Sequence, residues 1–443
     1  MPNPHPRGDG RAAGLSPLPE RGEAVRLASD RPGDRVSLRP VDSVSSGGDT
    51  RRLVAVVGLG ALAGIGLRVY AHVSSLGVLD GDEAVWGLMA RHLVDDGDLS
   101  VFLWGQGYGG TQEVIATAPL VAVFGLTNEV FRIVPVVLTA VAALLVWRIG
   151  LRTIGELRAR IAAVLFWVWP GYLAWKSDRA HGFYGSGFVL VCLVLLLALR
   201  LAERRSRLDV ALLGLVLGLG WWQTPQIVPI AVPALAWLLW RRPELWHNVW
   251  IAAPVAAVAA LPWLVSNLAH DWSSFDISSG QTPYPTRLRG FFSATFPMAF
   301  GLRVPYTSEW PLGTALSGLV YAGLIGLFAL AWWRRRASLA ALLFVVVAAF
   351  PFLYALSPST WIVDEPRYVV VLLPVLALLF AMGVATVPRA AIAILGGAAL
   401  SAVVLWHLNS AGVRRARGRS LHPLRFRPSH RRARPAGHRP RLR

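Results

Sequence analysis

Three acids stand in four positions, Asp80, Asp82 and Glu83, directly after the first long apolar stretch. A carboxylate beside a membrane is costly to desolvate, and by default it marks a functional site. A Gly/aromatic turn follows, Trp104-Gly105-Gln106-Gly107-Tyr108-Gly109-Gly110, and leads to Glu113. Carboxylates so placed can take a proton from a hydroxyl group or offer hard oxygen ligands to a divalent cation. Basic partners recur downstream. Lys176, the only lysine, lies in Trp175-Lys176-Ser177-Asp178-Arg179-Ala180-His181, and Arg367-Tyr368 follows Asp364-Glu365.

Each group also has a plainer role. Asp80-x-x-Glu83 is the spacing of a capping box, although a cap needs fewer than three acids. Lys176 either contacts a phosphate or extends to the interface paired with Asp178. Arg367 either contacts a phosphate or pairs with its neighbouring acids. Trp221-Trp222-Gln223-Thr224-Pro225-Gln226 either stacks on a sugar or belongs to an interfacial belt. The segment Ser266–Pro311 either caps a cavity and reads an acceptor or simply packs. No zinc spacing occurs, and Gly105-x-Gly107-x-Gly109 does not follow a strand as a nucleotide-binding loop would. Asp80, Asp82 and Asp178 leave a divalent cation open on residue type alone, and no cofactor is expected.

The elements that must position these residues are helices in a membrane. Of 443 residues, 54% are hydrophobic and 16% charged, with mean hydropathy +0.49, whereas soluble domains carry about 25% charged residues. About eleven apolar segments approach the 18 to 25 residues that a bilayer requires. They cover residues 53–79, 130–147, 161–175, 183–201, 208–222, 227–240, 249–268, 312–333, 339–356, 369–387 and 390–408. Residues 82–96 show helical spacing of Val85, Leu88, Met89 and Leu93, and residues 113–124 are apolar but short. Both read as interfacial helices in the first outer loop. The fold class is therefore all-α and polytopic.

Arginines fix the expected orientation. Arg51-Arg52, Arg148 to Arg160, Arg200 to Arg207, Arg241-Arg242 and Arg334 to Arg336 all fall on one side, which is the cytoplasmic side. Asp82-Glu83, Asp178, Asp271 and Asp364-Glu365 fall on the other. Residues 1–50 read as a disordered cytoplasmic tail, 51–408 as the transmembrane domain, and 409–443 as an Arg-rich disordered tail. That tail holds about twelve arginines and no acid after residue 413, which accounts for most of the formal charge of +19. Its composition resembles an out-of-frame reading of GC-rich DNA, so the charge does not imply a nucleic-acid partner. The lone Cys192 excludes an intrachain disulfide, and no cleavable signal peptide is visible.

Asp82-Glu83-Ala84-Val85-Trp86, the run Gly105 to Glu113, and Arg367-Tyr368 before a Leu/Val/Pro segment together resemble the GT-C glycosyltransferases. The nearest likeness is to bacterial relatives of protein O-mannosyltransferases and of lipid A aminoarabinose transferases, over about residues 50–405. The resemblance implies a plasma-membrane enzyme with an extracytoplasmic site that acts without a metal. It would move a sugar from a polyprenyl-phosphate donor to a lipid, glycan or protein acceptor, with inversion. Asp82 would be the base, with Glu83 and Asp80 beside it. Lys176, Arg179 and Arg367 would meet the donor phosphate, and Tyr108, Glu113, Asp178 and Tyr368 would shape the pocket. The chain lacks the C-terminal extracytoplasmic domain of the larger members. A secondary transporter or lipid flippase would instead show repeated halves and broken helices with midplane charges. A third reading is a non-catalytic envelope-assembly subunit or a catalytically dead relative.

Overall fold

The computed structural model describes residues 47–182, 184–275, 282–357, 366–384 and 386–420, with side chains from residue 50 to 411. The tail expected over residues 1–50 lies almost wholly outside the described residues, as do residues 421–443 of the C-terminal one. The described residues form helices and short turns; the only β-pairing among them is a bridge between Phe102 and Gly110.

The first helix, α1 (Gly47–Val73), ends six residues before the end of the apolar run. Ser74 stops it: its hydroxyl accepts from the amide of Leu76 and opens a 3-10 turn, Ser75–Gly77. The chain then enters two helices, α2 (Gly81–Asp95) and α3 (Gln112–Phe124), close to the limits expected for the first loop. Trp86, Met89, Leu103, Val114, Val121 and Val130 close a small core between them and the next helix.

That helix is α4 (Asn128–Thr153), capped by the hydroxyl of Thr127 on the amide of Val130. The span expected at 161–175 is divided into α5 (Glu156–Val168) and α6 (Gly171–Lys176). Pro170 stands at the break, where its missing N–H cannot continue the ladder. The next helix, α7 (Tyr184–Glu203), is the centre of the bundle, with 14 of its 20 residues buried. It packs against α4, α8 (Arg207–Gln223) and α9 (Val228–Arg241).

Two helices then meet at a 60° bend, α10 (Val249–Ala259) and α11 (Leu261–Ala269). The short α12 (Tyr284–Gly290) and α13 (Phe296–Ala299) precede α14 (Thr314–Arg335), α15 (Ala341–Leu356), α16 (Leu373–Ala381) and α17 (Val387–Ser420). The last of these extends twelve residues beyond the expected end of the final span.

Five of these helices are long and apolar enough to cross a membrane, or six if the bent pair counts as one span. The expectation of eleven is not met by length. Residues 161–175, 208–222, 227–240, 339–356 and 369–387 all hold apolar helices, but interrupted or shorter than 18 residues.

In a bilayer, helices associate through close packing and internal hydrogen bonds more than through exclusion of water. Gly214 and Gly218, four residues apart on α8, meet α10 directly. A Cβ on either would lie 2.3 or 2.2 Å from the carbonyl oxygens of Ala252 and Ala256. Arg68 joins α1 to α5 by donating to the carbonyl of Trp167 at 3.0 Å, with its guanidinium 3.5 Å from the Trp167 ring centre. At the far end of α7, Arg200 grips the buried Asp209 with two hydrogen bonds of 3.1 and 2.6 Å.

Candidate active site

The head of α2 is built as the sequence spacing suggests. Asp80 caps it, with Oδ1 accepting from the amide of Glu83 at 3.0 Å, while Glu83 Oε2 accepts from the amide of Asp80 at 3.3 Å. The capping box is thus formed, but it does not exhaust either carboxylate. Glu83 is wholly buried and pairs with two arginines, Arg132 at 3.3 Å and Arg179 more closely. The amide of Ala180 adds a third donor at 3.3 Å. Arg179 also reaches Asp80 Oδ2 at 3.0 Å and the carbonyl of Leu76 at 2.6 Å. Arg132 donates to the carbonyl of Gly77 at 2.8 Å and lies 3.0 Å from His72 Nδ1. The turn after α1, the start of α4 and the loop after α6 are therefore tied at one charged junction.

His181 completes it, with Nε2 2.7 Å from Asp80 Oδ2. Burial pushes the Asp80 carboxyl up, but the hydrogen bond and charge of His181, the Glu83 amide and Arg179 outweigh it and hold the group well below the ordinary carboxylate range. Burial lowers His181 despite the opposing pull of Asp80, and Nε2 is the ring nitrogen that meets the carboxylate. Asp178 is raised by burial, against the pull of Arg132, 3.8 Å away, and His72, 3.7 Å away.

Asp82 differs from its neighbours. It stands in the first turn of α2 with its side chain exposed, and among the described residues it has no ion pair and no hydrogen bond. The structure therefore separates the three acids: Asp80 and Glu83 are held, and Asp82 is open.

The remaining site residues fall in several places. Lys176 is buried with Nζ 4.9 Å from the Trp175 ring centre. Glu113 does not join the junction. Its Oε1 accepts from the amide and hydroxyl of Ser186 at 2.8 and 2.7 Å, fastening α3 to α7, and burial raises its carboxyl. Arg367 lies half-buried on the turn before α16, and the acids beside it, Asp364 and Glu365, lie outside the described residues. Tyr108 and Tyr368 both line a cavity of about 440 Å³.

That cavity has a different character. Eight of its eighteen lining residues are aromatic, among them Phe102, Trp221, Trp222 and Trp263, and none of the eighteen is charged. Its walls come from the Gly/aromatic turn, the ends of α8 and α11, and the end of α15. The turn is docked on α8 by three hydrogen bonds: Gly110 N to Gln223 O at 2.9 Å, Gln112 Nε2 to Leu219 O at 2.9 Å, and Trp222 Nε1 to Val101 O at 3.1 Å. Ser274 and Phe275 are the contribution of the Ser266–Pro311 segment. Its Arg287 instead braces α12 on α15 through the carbonyl of Ala355 at 2.7 Å.

Sequence reasoning missed Arg132 and His72. The available signal for Arg132 was a charge inside an apolar segment, but its partner Glu83 is 49 residues away. Among the described residues no group of three or more His, Cys, Asp or Glu is placed to hold a metal ion.

Residues 116–269 match the family of dolichyl-phosphate-mannose-protein mannosyltransferases. No curated protein matches the chain significantly. Among solved structures, ArnT from Cupriavidus metallidurans bound to undecaprenyl phosphate superposes with a TM-score of 0.58 at 14% identity, over 85% of this chain and 80% of that one. Its apo form gives 0.59 over the same shares. The archaeal oligosaccharyltransferase AglB from Archaeoglobus fulgidus, in complex with an inhibitory peptide and a dolichol-phosphate, gives 0.51 at 14% identity, over 83% of this chain and 56% of that one. The chain thus has a GT-C-like fold and is a multi-pass membrane protein.

Proposed function

We propose that the chain is a plasma-membrane glycosyltransferase that moves one sugar from a polyprenyl phosphate to a hydroxyl on an extracytoplasmic lipid, glycan or protein. The observation that carries this reading is the contrast at residues 80–83. Two acids are fixed by cations, and Asp82 between them projects free from the first turn of α2. The fold shared with proteins crystallised with undecaprenyl phosphate and dolichol-phosphate supports the donor class.

Asp82 acts as the base. It takes the proton of the acceptor hydroxyl as the acceptor oxygen bonds to the anomeric carbon. The bond from that carbon to the phosphate oxygen breaks, and its electron pair leaves on the polyprenyl phosphate. Attack opposite the leaving group inverts the anomeric centre. Arg179, held by two carboxylates and a carbonyl, orients the first turn of α2. Lys176 and Arg367 supply positive charge to the departing phosphate. Asp178 and Glu113 shape the surroundings from buried positions, and Tyr108 and Tyr368 face the substrate.

The test is transfer from radiolabelled polyprenyl-phosphate sugars, mannose first, by purified protein in liposomes. Asp82→Asn lowers the rate by about 10²–10⁴-fold, the contribution of a positioned base, and leaves the melting temperature unchanged because no contact is lost. Transfer that survives the substitution at the wild-type rate removes Asp82 from this role.

A further inference from the structure

A groove of about 610 Å³ lies between α1, α4 and α5. Val54, Gly58, Ala143, Leu144 and Ala163 are among its twelve lining residues, and only Arg160 of the twelve is charged. It opens sideways, with Val54 and Leu144 59% and 61% exposed. Room for a ligand is built into the α1 wall, where a Cβ on Gly58 would meet nothing within 4 Å.

The groove is closed at one end and cationic at the other. At the closed end the Trp167 indole crosses from α5 to α1 and donates to the carbonyl of Ala61 at 3.1 Å. Gly64 permits the crossing, since a Cβ there would lie 2.3 Å from the indole. At the other end each helix supplies an arginine. Arg160 on α5 lines the groove and uses Nη2 on the exposed Glu156, leaving Nε and Nη1 for another acceptor. Arg148 on α4 is exposed and holds its guanidinium 5.9 Å from the ring centre of Trp147, another lining residue. Arg51 on α1 precedes Val54 by three residues and so shares its helix face. Three cations against one carboxylate leave this end positive.

The length of the groove selects its occupant. The lining runs from Val54 to Ala61, from Ala140 to Trp147 and from Arg160 to Trp167, about 10 Å on each helix at 1.5 Å per residue. One leaflet of hydrocarbon is about 15 Å deep, whereas a helix from a second copy would pack along a span of about 30 Å. A short apolar slot with arginines at its mouth fits a lipid tail below an anionic headgroup.

We propose that this groove binds an anionic phospholipid from the leaflet on the arginine-bearing side. One acyl chain lies between α1, α4 and α5 and ends on Trp167, and the phosphate meets Arg51, Arg148 and Arg160. Basic groups gathered where helices leave the membrane recognise such headgroups, and the guanidinium fork matches phosphate geometry. The site is at the opposite end of α1 from the charged junction, and it does not depend on sugar transfer.

The experiment titrates the full chain, purified in detergent, with phosphatidylglycerol, phosphatidylcholine or undecaprenyl phosphate. Native mass spectrometry counts the first lipid bound and the number of subunits. Wild type binds phosphatidylglycerol more tightly than phosphatidylcholine by at least about tenfold. Arg148→Gln and Arg160→Gln each narrow that preference by roughly fivefold. Gly58→Leu fills the slot from a position with open space and removes a glycine from a helix interior, so without lipid it melts at or above the wild-type temperature. It weakens phosphatidylglycerol by at least about tenfold.

Equal binding of the two phospholipids, an unchanged preference in both arginine variants, or full phosphatidylglycerol binding by Gly58→Leu overturns the proposal. So does tighter binding of undecaprenyl phosphate that Gly58→Leu abolishes, which would give the groove to the polyprenyl carrier. A wild-type dimer that Gly58→Leu dissociates would give it to a second copy and overturn the proposal equally.

Discussion

The charged junction and the aromatic cavity are both built from the segment between Leu79 and Glu113, yet their construction is opposite. At the junction, Glu83 receives two arginines and an amide, and Arg179 donates to two carboxylates and a carbonyl. In the cavity, the lining is aromatic and apolar, and none of it is charged. A dense set of buried ion pairs in a low-dielectric setting is rigid, and losing one member is costly, even though Arg132 Nε, Arg179 Nε, Asp178 Oδ2 and His181 Nδ1 are buried without a hydrogen-bond partner. An aromatic lining with open faces has room for a ligand. The junction therefore holds geometry, and the cavity leaves space beside it. Asp82 stands on the junction's first helical turn but outside its network, which lets it be both well positioned and available.

Substitutions test this division. The largest effect on stability is expected from Glu83→Ala. It leaves Arg132 and Arg179 buried without their shared carboxylate, and removing one partner of a buried pair costs about 3–5 kcal/mol. A melting temperature equal to wild type would show that the junction is not the clamp described. Gly182→Ala comes next. The glycine has φ +77°, and a Cβ there would lie 1.5 Å from the Trp86 ring. Left-handed strain and overpacking together cost about 2–4 kcal/mol, read as a lower melting temperature. An unchanged melting point would mean that the loop after α6 does not press on α2.

Tyr108→Ala, on the cavity side, sharpens the contrast. Its side chain is partly exposed, so stability changes by less than about 0.5 kcal/mol, whereas binding of polyprenyl-phosphate sugars weakens by roughly tenfold. A large loss of stability would erase the distinction between the two regions.

The smallest effect is pH-dependent. His181 is lowered by burial despite Asp80, and Lys176 and Arg179 also oppose its protonation. The unfolded chain therefore takes up this proton more readily than the folded one. Stability from the neutral imidazole is fully present above the ordinary value of 6.5 and is lost as pH falls through the lowered folded value. Relative to His181→Asn, the wild type should lose stability as pH falls below the ordinary value of 6.5, by no more than about 1.4 kcal/mol per pH unit. Parallel melting curves for the two proteins would exclude it.

Much of the architecture around the site was legible before the structure. The spacing of Val85, Leu88, Met89 and Leu93, with Gly97 beyond, marks α2, and Asp80-x-x-Glu83 marks its cap. Spans were less legible, because apolar composition does not reveal where proline breaks a helix, as Pro170 does between α5 and α6. The partnerships were least legible. Glu83, Arg132 and Arg179 meet only through the fold, and no local pattern pairs residues so far apart. Glu113 carried the same signal as Asp82, an acid beside a membrane, but its two bonds to Ser186 make it a fastening between helices. Residue type indicated where ionisable groups gather; only packing separated the held acids from the open one.

The clamp on Glu83 also has an order of arrival. Arg132 follows Glu83 by 49 residues and the Ala180 amide by 97. At about 5–20 residues per second of synthesis, the second interval lasts roughly five to twenty seconds. For that time α2 has its own cap, then α3 and Arg132 as they emerge, but not the loop after α6. The short loop after α6, with Arg179, Ala180 and Gly182, is the latch. Until it emerges the first loop has no fixed seat, so the nascent chain acquires its reactive face only after the third, broken apolar segment has left the ribosome.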